Sequence, residues 1–113
     1  RASMSVPVGW GLAAAAMLIG LPVVAATGAL EARQRAAGAA DAAAIAAADA
    51  VSGWLAGEPC AVAGEVAAAA RVELLRCEIE GYEARVWVRA STPLGPATAR
   101  SRAGPEDSGA DGP

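Results

Sequence analysis

Cys60 and Cys77 carry the most definite chemistry in this sequence. They are its only two cysteines, seventeen positions apart, and an even pair can close a disulfide. In an exported domain too small for a robust core, that is the expected use. Closing a loop of this size stabilises by about 3 kcal/mol in the chain-entropy estimate. The alternative, two reduced and buried cysteines in a cytoplasmic domain, stays open at this point. Two thiolates cannot complete a structural zinc site, which takes four nitrogen or sulfur ligands. Histidine is absent, and with it the commonest metal ligand and the usual general base. No GxSxG elbow, phosphate-binding loop or HExxH helix occurs. The expectation is a chain without catalytic residues, cofactor, metal or small-molecule substrate.

Charge narrows the partners further. All nine basic residues are arginine, against twelve acidic ones, for a net charge of −3 over 113 residues. The arginines are scattered along the chain, whereas a nucleic-acid binder clusters basic side chains to neutralise phosphates. No nucleic-acid partner is expected. Once the uncharged run near the start and the Pro/Gly-rich end are subtracted, about 60 residues remain to fold, a size that needs help from a disulfide, a membrane or a partner.

The elements that must position these residues begin with "VPVGWGLAAAAMLIGLPVVAATGAL", Val6 to Leu30, which holds no charge. As a helix it would rise about 37 Å, enough to cross about 30 Å of hydrocarbon with some tilt. Residues 1–30 are therefore expected to form an N-terminal transmembrane helix, with Trp10 at the membrane interface, where an indole finds both an apolar body and a polar edge. The competing reading is a cleavable signal peptide with Pro22 as breaker and a small-residue site after Ala26. Pro22 beside Gly20 predicts a kink or local opening between Ile19 and Pro22. Ala16 with Gly20, and Gly28 with Ala32, are small residues four apart that would let another helix approach closely within lipid. Arg33 and Arg35 follow the run while Arg1 stands alone before it. The positive-inside count thus points against an exported C-terminus, and an extracytoplasmic head is expected only through the disulfide.

The alanine-rich stretch 31–57 continues the helix. Glu31 and Arg35 form an i, i+4 pair, and Val51, Trp54 and Leu55 are the face expected to meet a small head. The head is predicted over 58–103. "GEP" at 57–59 closes one helix and opens a second, "CAVAGEVAAAAR", with Val62, Val66 and Ala69 or Ala70 on one side. The period then changes to two. "VELLRCEIEGYEARVWVRAS", 72–91, reads as a β-hairpin turning at Glu80–Gly81, with Leu75, Cys77 and Ile79 inward and Glu78 and Glu80 outward. On the return strand Ala84, Val86 and Val88 face in, and Glu83, Arg85, Trp87 and Arg89 face out. Glu78 opposite Arg85 would form a cross-strand pair if the register permits. Trp87 is either a partner contact or cover for the long helix. "GPATARSRAGP", 95–105, allows a third, edge strand, and 104–113 has nothing to bury and is expected to be disordered. The fold class is α+β: a long N-terminal helix, a short second helix and a small antiparallel sheet of two or three strands.

A membrane helix running directly into a polar helix and a small disulfide-tied β-rich head resembles the plan of type IV-like pilins and pseudopilins. More specifically, "EARQRAAGAADAAAIAAADA" resembles the segment that follows the apolar run in TadE-like proteins of tight-adherence (Flp-type) pilus loci. "GEPCAVAGEVAAAARVELLRCEIEG" and "LGPATARSRAGP" are similar to the version found in high-GC Gram-positive bacteria beside a secretion ATPase and a helicase. The likeness covers residues 1–105. It implies a minor pilin-like subunit, held in the membrane before assembly and acting in a pilus or secretion apparatus, with other pilin-like subunits or the assembly machinery as partners. It also implies a structural role with no catalytic residues. The alanine helix would then pack beside neighbouring helices, Ala43 and Ala47 among the contact positions. One feature departs from the pattern: pilins cut by prepilin peptidase usually carry a glutamate at the start of the apolar segment, and "SMSVPVGWG" has none. A secreted domain released by signal peptidase, and an anchored accessory subunit that does not polymerise, are the alternatives.

Overall fold

A computed structural model describes residues 2–105, with side chains from Val6 onward. Arg1 and residues 106–113, and with them most of the expected tail, lie outside the described residues. Five elements follow one another: α1 (Ala2–Ser52), α2 (Pro59–Ala69), β1 (Glu73–Glu80), β2 (Glu83–Thr92) and β3 (Gly95–Ala103). The architecture is α+β, as expected, and the edge strand β3 is formed.

At about 1.5 Å per residue, the 51 residues of α1 account for the longest dimension of the molecule, 76 Å. The helix continues through Pro7 and Pro22, so the kink or local opening expected between Ile19 and Pro22 does not interrupt it. It stops at Ser52, five residues before the predicted end. Gly53 takes φ +86°, and its N–H donates to the Ala50 carbonyl while the N–H of Trp54 donates to Asp49. This crossed pair of bonds replaces the regular i to i−4 pattern and needs a left-handed residue, which glycine supplies without a Cβ clash. The chain therefore swings away at Trp54, which is 86% exposed, and Leu55 is exposed too. Of the face expected to meet the head, Trp54 and Leu55 do not do so, and Val51 is half-buried.

The head instead lies on alanine. Ala32, Ala36, Ala39, Ala40, Ala43, Ala44, Ala47 and Ala48 are all buried, a stripe with the 3-and-4 spacing of one helix face. Against them pack β2, β3 and α2, and α2 in turn covers β1, so two helices share one face of the sheet. The cluster is closed by Ala63 and Ala67 of α2, Val72, and Ala84, Val86, Val88 and Ala90 of β2. Val86 and Val88 are the largest fully enclosed side chains. Methyl groups on the helix let three elements come close around it, which is how so short a head excludes water.

α2 begins where "GEP" predicts. Glu58 caps it, its carboxylate accepting from the Ala61 N–H at 2.7 Å, and Pro59 takes the first helical position, where no N–H is needed. Val62, Ala63 and Ala67 are buried, Val66 and Ala70 partly so, and Ala69 faces solvent. The helix ends on Arg71 at φ +61°, with the Arg71 and Val72 N–H groups bonded back to Ala68 and Ala67.

The sheet is antiparallel in the order β1-β2-β3. β2 alternates as predicted, with Ala84, Val86, Val88 and Ala90 buried. β1 does not, because its register slips between Leu74 and Arg76: Leu74 pairs with Val88 and Arg76 with Trp87, leaving Leu75 as a bulge. Leu74 thus joins the core and Leu75, expected inside, is 45% exposed. Cys77 keeps the inward face opposite Val86, and Ile79 sits opposite Ala84 at the sheet's margin. Glu80 and Glu83 pair, so the hairpin turns on Gly81–Tyr82, one residue later than expected, with Gly81 at φ +61°. The second turn is Pro93–Leu94 between the paired Thr92 and Gly95.

Candidate functional site

Three surfaces can do something: the bare half of α1, the cystine, and the outer face of the sheet. From Val6 to Leu30 almost every side chain of α1 is exposed, including Trp10 at 74% and Leu18 at 77%. It is the one described helix long and apolar enough to cross a membrane, and none of its apolar window is covered by the rest of the molecule. A bare apolar surface of this extent marks a contact with lipid or with another apolar surface, and a signal sequence near an N-terminus has the same character. Its one hydroxyl, Thr27, donates to the Val23 carbonyl at 2.9 Å, so no side-chain hydroxyl there is left to seek water.

The small residues predicted for helix packing divide into two sets. Ala16 and Gly20 are exposed, with nothing within 4 Å of the position a Gly20 side chain would take. They remain open to another helix. Gly28 is half-covered by the ring of Pro93, 3.8 Å from where its Cβ would be, and Ala32 is 2% exposed. Ala43 and Ala47 are fully buried under the head. These four positions pack within the chain itself, and Ala32, Ala43 and Ala47 are closed to any neighbouring subunit. On the outward side of the same helix Gly38, Ala42 and Ile45 are exposed. The ion pair expected between Glu31 and Arg35 is not among those formed by the described residues.

Cys60 and Cys77 are joined, with Cα atoms 5.8 Å apart. The bond ties the first turn of α2 to the middle of β1, and both residues are half-buried. Neither is left as a thiol.

The outer face of the sheet carries the charge. Trp87 stands there, half-buried, away from α1, so it does not cover the long helix. The Arg76 guanidinium lies over its ring at 4.8 Å. Arg76 also pairs with Glu78, and Arg89 grips both carboxylate oxygens of Glu73 across the strands. Glu78 does oppose Arg85 in register, but the Arg85 guanidinium turns to Glu83 at 2.8 Å and approaches Glu80 at 4.0 Å. Its pKa is pushed further above the usual arginine value, first by the hydrogen bond to Glu83 and then by the charges of Glu83, Glu80 and Glu78. Arg100 and Arg102 on β3 form no ion pair with another described residue, and with Arg85 and Trp87 they border a shallow groove.

Three contacts that shape these surfaces have no signal in the sequence: Arg76 over Trp87, Pro93 against Gly28, and the Ser101 hydroxyl donating to Asp41 at 2.5 Å, which fastens β3 to α1. Each joins residues distant in the chain, and no local pattern announces them. Among the described residues no three histidine, cysteine, aspartate or glutamate side chains come together as a metal site, and no buried side-chain nitrogen or oxygen lacks a partner. Comparison of the chain with models of protein families, with characterised proteins and with solved structures finds no match.

Proposed function

We propose that this chain is a non-enzymatic structural subunit of a pilin-like assembly of the Flp (tight-adherence) type, anchored in a membrane by residues 6–30 and holding its head outside the cytoplasm. One observation carries the reading: a single 51-residue helix whose first half is bare and apolar and whose second half is the spine of a small disulfide-tied head. The closed Cys60–Cys77 bond favours an oxidising compartment for the head, against the arginine count around the apolar run. Neighbouring helices would dock along Ala16 and Gly20, and along the outward face at Gly38, Ala42 and Ile45. The Trp87 face is left for other partners.

The secreted alternative is favoured by one fact. Every buried residue among those described lies at or beyond Ala32, so a cut after Ala26 would remove no part of the described core. Mass spectrometry of the natural protein's N-terminus separates the two. A start upstream of Val6 is expected, and one near Thr27 would overturn the anchored reading. Cysteines placed at Ala16 and Gly20 should then trap a neighbouring subunit in the membrane. If neither position traps one, the chain is an anchored accessory that does not polymerise.

A further inference from the structure

The bare half of α1 is not the whole of the exposed apolar surface. Leu94, at the tip of the β2–β3 turn, is 70% exposed, and its position along the molecule is set by two contacts. Pro93 lies against Gly28, and Ser101 bonds to Asp41. From residue 94 to 101 an extended strand covers about 23 Å, and from 28 to 41 the helix rises about 20 Å. β3 therefore runs alongside α1, and its starting turn lies at the end of the head nearest the apolar half. Val6 to Gly28 rises about 33 Å, close to the roughly 30 Å thickness of a bilayer's hydrocarbon. Leu94 and the exposed Leu30 then stand where that hydrocarbon ends. Arg33, exposed about 8 Å further along the axis, reaches the depth of lipid headgroups.

The turn is also built to tolerate such a place. Pro93 has no N–H, the N–H of Leu94 donates to the Thr92 hydroxyl oxygen at 3.0 Å, and that hydroxyl donates to the Gly95 carbonyl at 2.5 Å. Two backbone groups at this tip, the Leu94 N–H and the Gly95 carbonyl, are thus satisfied by the Thr92 side chain, as an apolar surrounding requires.

We infer that the Pro93–Leu94 turn is a second membrane contact: Leu94 inserts into the lipid interface and seats the head directly on the bilayer, at a depth fixed by the Pro93–Gly28 contact. This rests on the reading that residues 6–28 span the membrane. The occupant is the lipid surface, because the patch is continuous with the apolar helix. A molecule seated this way cannot roll about the axis of α1 within the bilayer, so its Trp87 face is presented at a fixed height and angle.

Nitroxide labels decide it, each on a single cysteine introduced into the full chain with the native disulfide closed. Leu94→Cys, Leu18→Cys and Tyr82→Cys proteins are reconstituted in phosphatidylcholine/phosphatidylglycerol vesicles. Collision with oxygen, which concentrates in lipid, is compared with collision with a water-soluble nickel chelate. The label at 94 is expected to meet nickel several-fold less often than the label at 82 and to meet oxygen more often. Nickel access at 94 equal to that at 82, with 18 in lipid, would overturn the seating while leaving the anchor intact. Nickel access at 18 would overturn the anchor itself. Exclusion of both quenchers at 94 would mean burial against protein, which also refutes a lipid contact.

Discussion

Arg71 shows how a single residue can sit at odds with its place. It closes α2 in a left-handed conformation, φ +61°, where an L side chain crowds its own backbone by about 1–2 kcal/mol. Its side chain is exposed and forms no ion pair among the described residues. Arg71→Gly is therefore expected to raise stability by about 1 kcal/mol, after glycine's greater unfolded-state freedom is subtracted. The measurement is the urea midpoint of the detergent-solubilised chain. The alanines of α1 allow a paired test at adjacent positions. Ala43 is fully buried under the head and Ala42 faces out. Ala43→Leu should cost about 1–3 kcal/mol or more by forcing the sheet and α2 off the helix. Ala42→Leu should stay within about 0.5 kcal/mol of the parent in the same titration. Equal effects at the two positions would mean that the head does not rest on the alanine stripe.

Among the elements, the alanine-rich half of α1 acts as a spine for its own head. Its small side chains bring β2, β3 and α2 close together, and the same stripe is thereby closed to other subunits. The head has few large side chains to bury, Val86 and Val88 being the largest fully enclosed. The cystine that joins α2 to β1 accordingly supplies a large share of its stability. Reduction, or Cys60→Ser with Cys77→Ser, is expected to remove about 3 kcal/mol, the loop-closure value for this separation. Denaturation with and without dithiothreitol reads the difference, and unchanged midpoints would show that the sheet and helices hold without the bond. β1 carries the complementary lesson. Its bulge at Leu75 moves Leu74 inward while Cys77 keeps the position from which it reaches Cys60.

The whole molecule is a rod 76 Å long with the head along its far half, and its three tryptophans mark different levels of it. Trp10 lies on the bare apolar half, Trp54 at the exposed end of α1, and Trp87 on the outer sheet face. In vesicles, a chain carrying Trp54→Phe and Trp87→Phe should lose most of its fluorescence to brominated lipid and little to iodide. A chain keeping only Trp54 should show the opposite, because that side chain projects into water at the end of the rod. Iodide quenching of Trp10 as strong as that of Trp54 would remove the membrane span from this protein.

Much was legible from local pattern. An uncharged run long enough for a membrane-length helix, a change of period from 3.6 to 2, the inward series Ala84, Val86, Val88 and the start of α2 at "GEP" each depend on a few adjacent residues, and each took the expected form. The cysteine pair was legible as a candidate bond, although closing it required the fold to bring the two Cα atoms to 5.8 Å. Which side of the alanine helix is buried was not legible. Ala42 and Ala43 are the same residue, so hydrophobic periodicity has no contrast to read, and only the docking of sheet and α2 distinguishes them. The end of α1, the Leu75 bulge and the seat of Pro93 on Gly28 likewise depend on hydrogen bonds and contacts made after the chain has folded. Local composition determined what each segment of this protein is, and tertiary packing decided which surfaces it has left to offer.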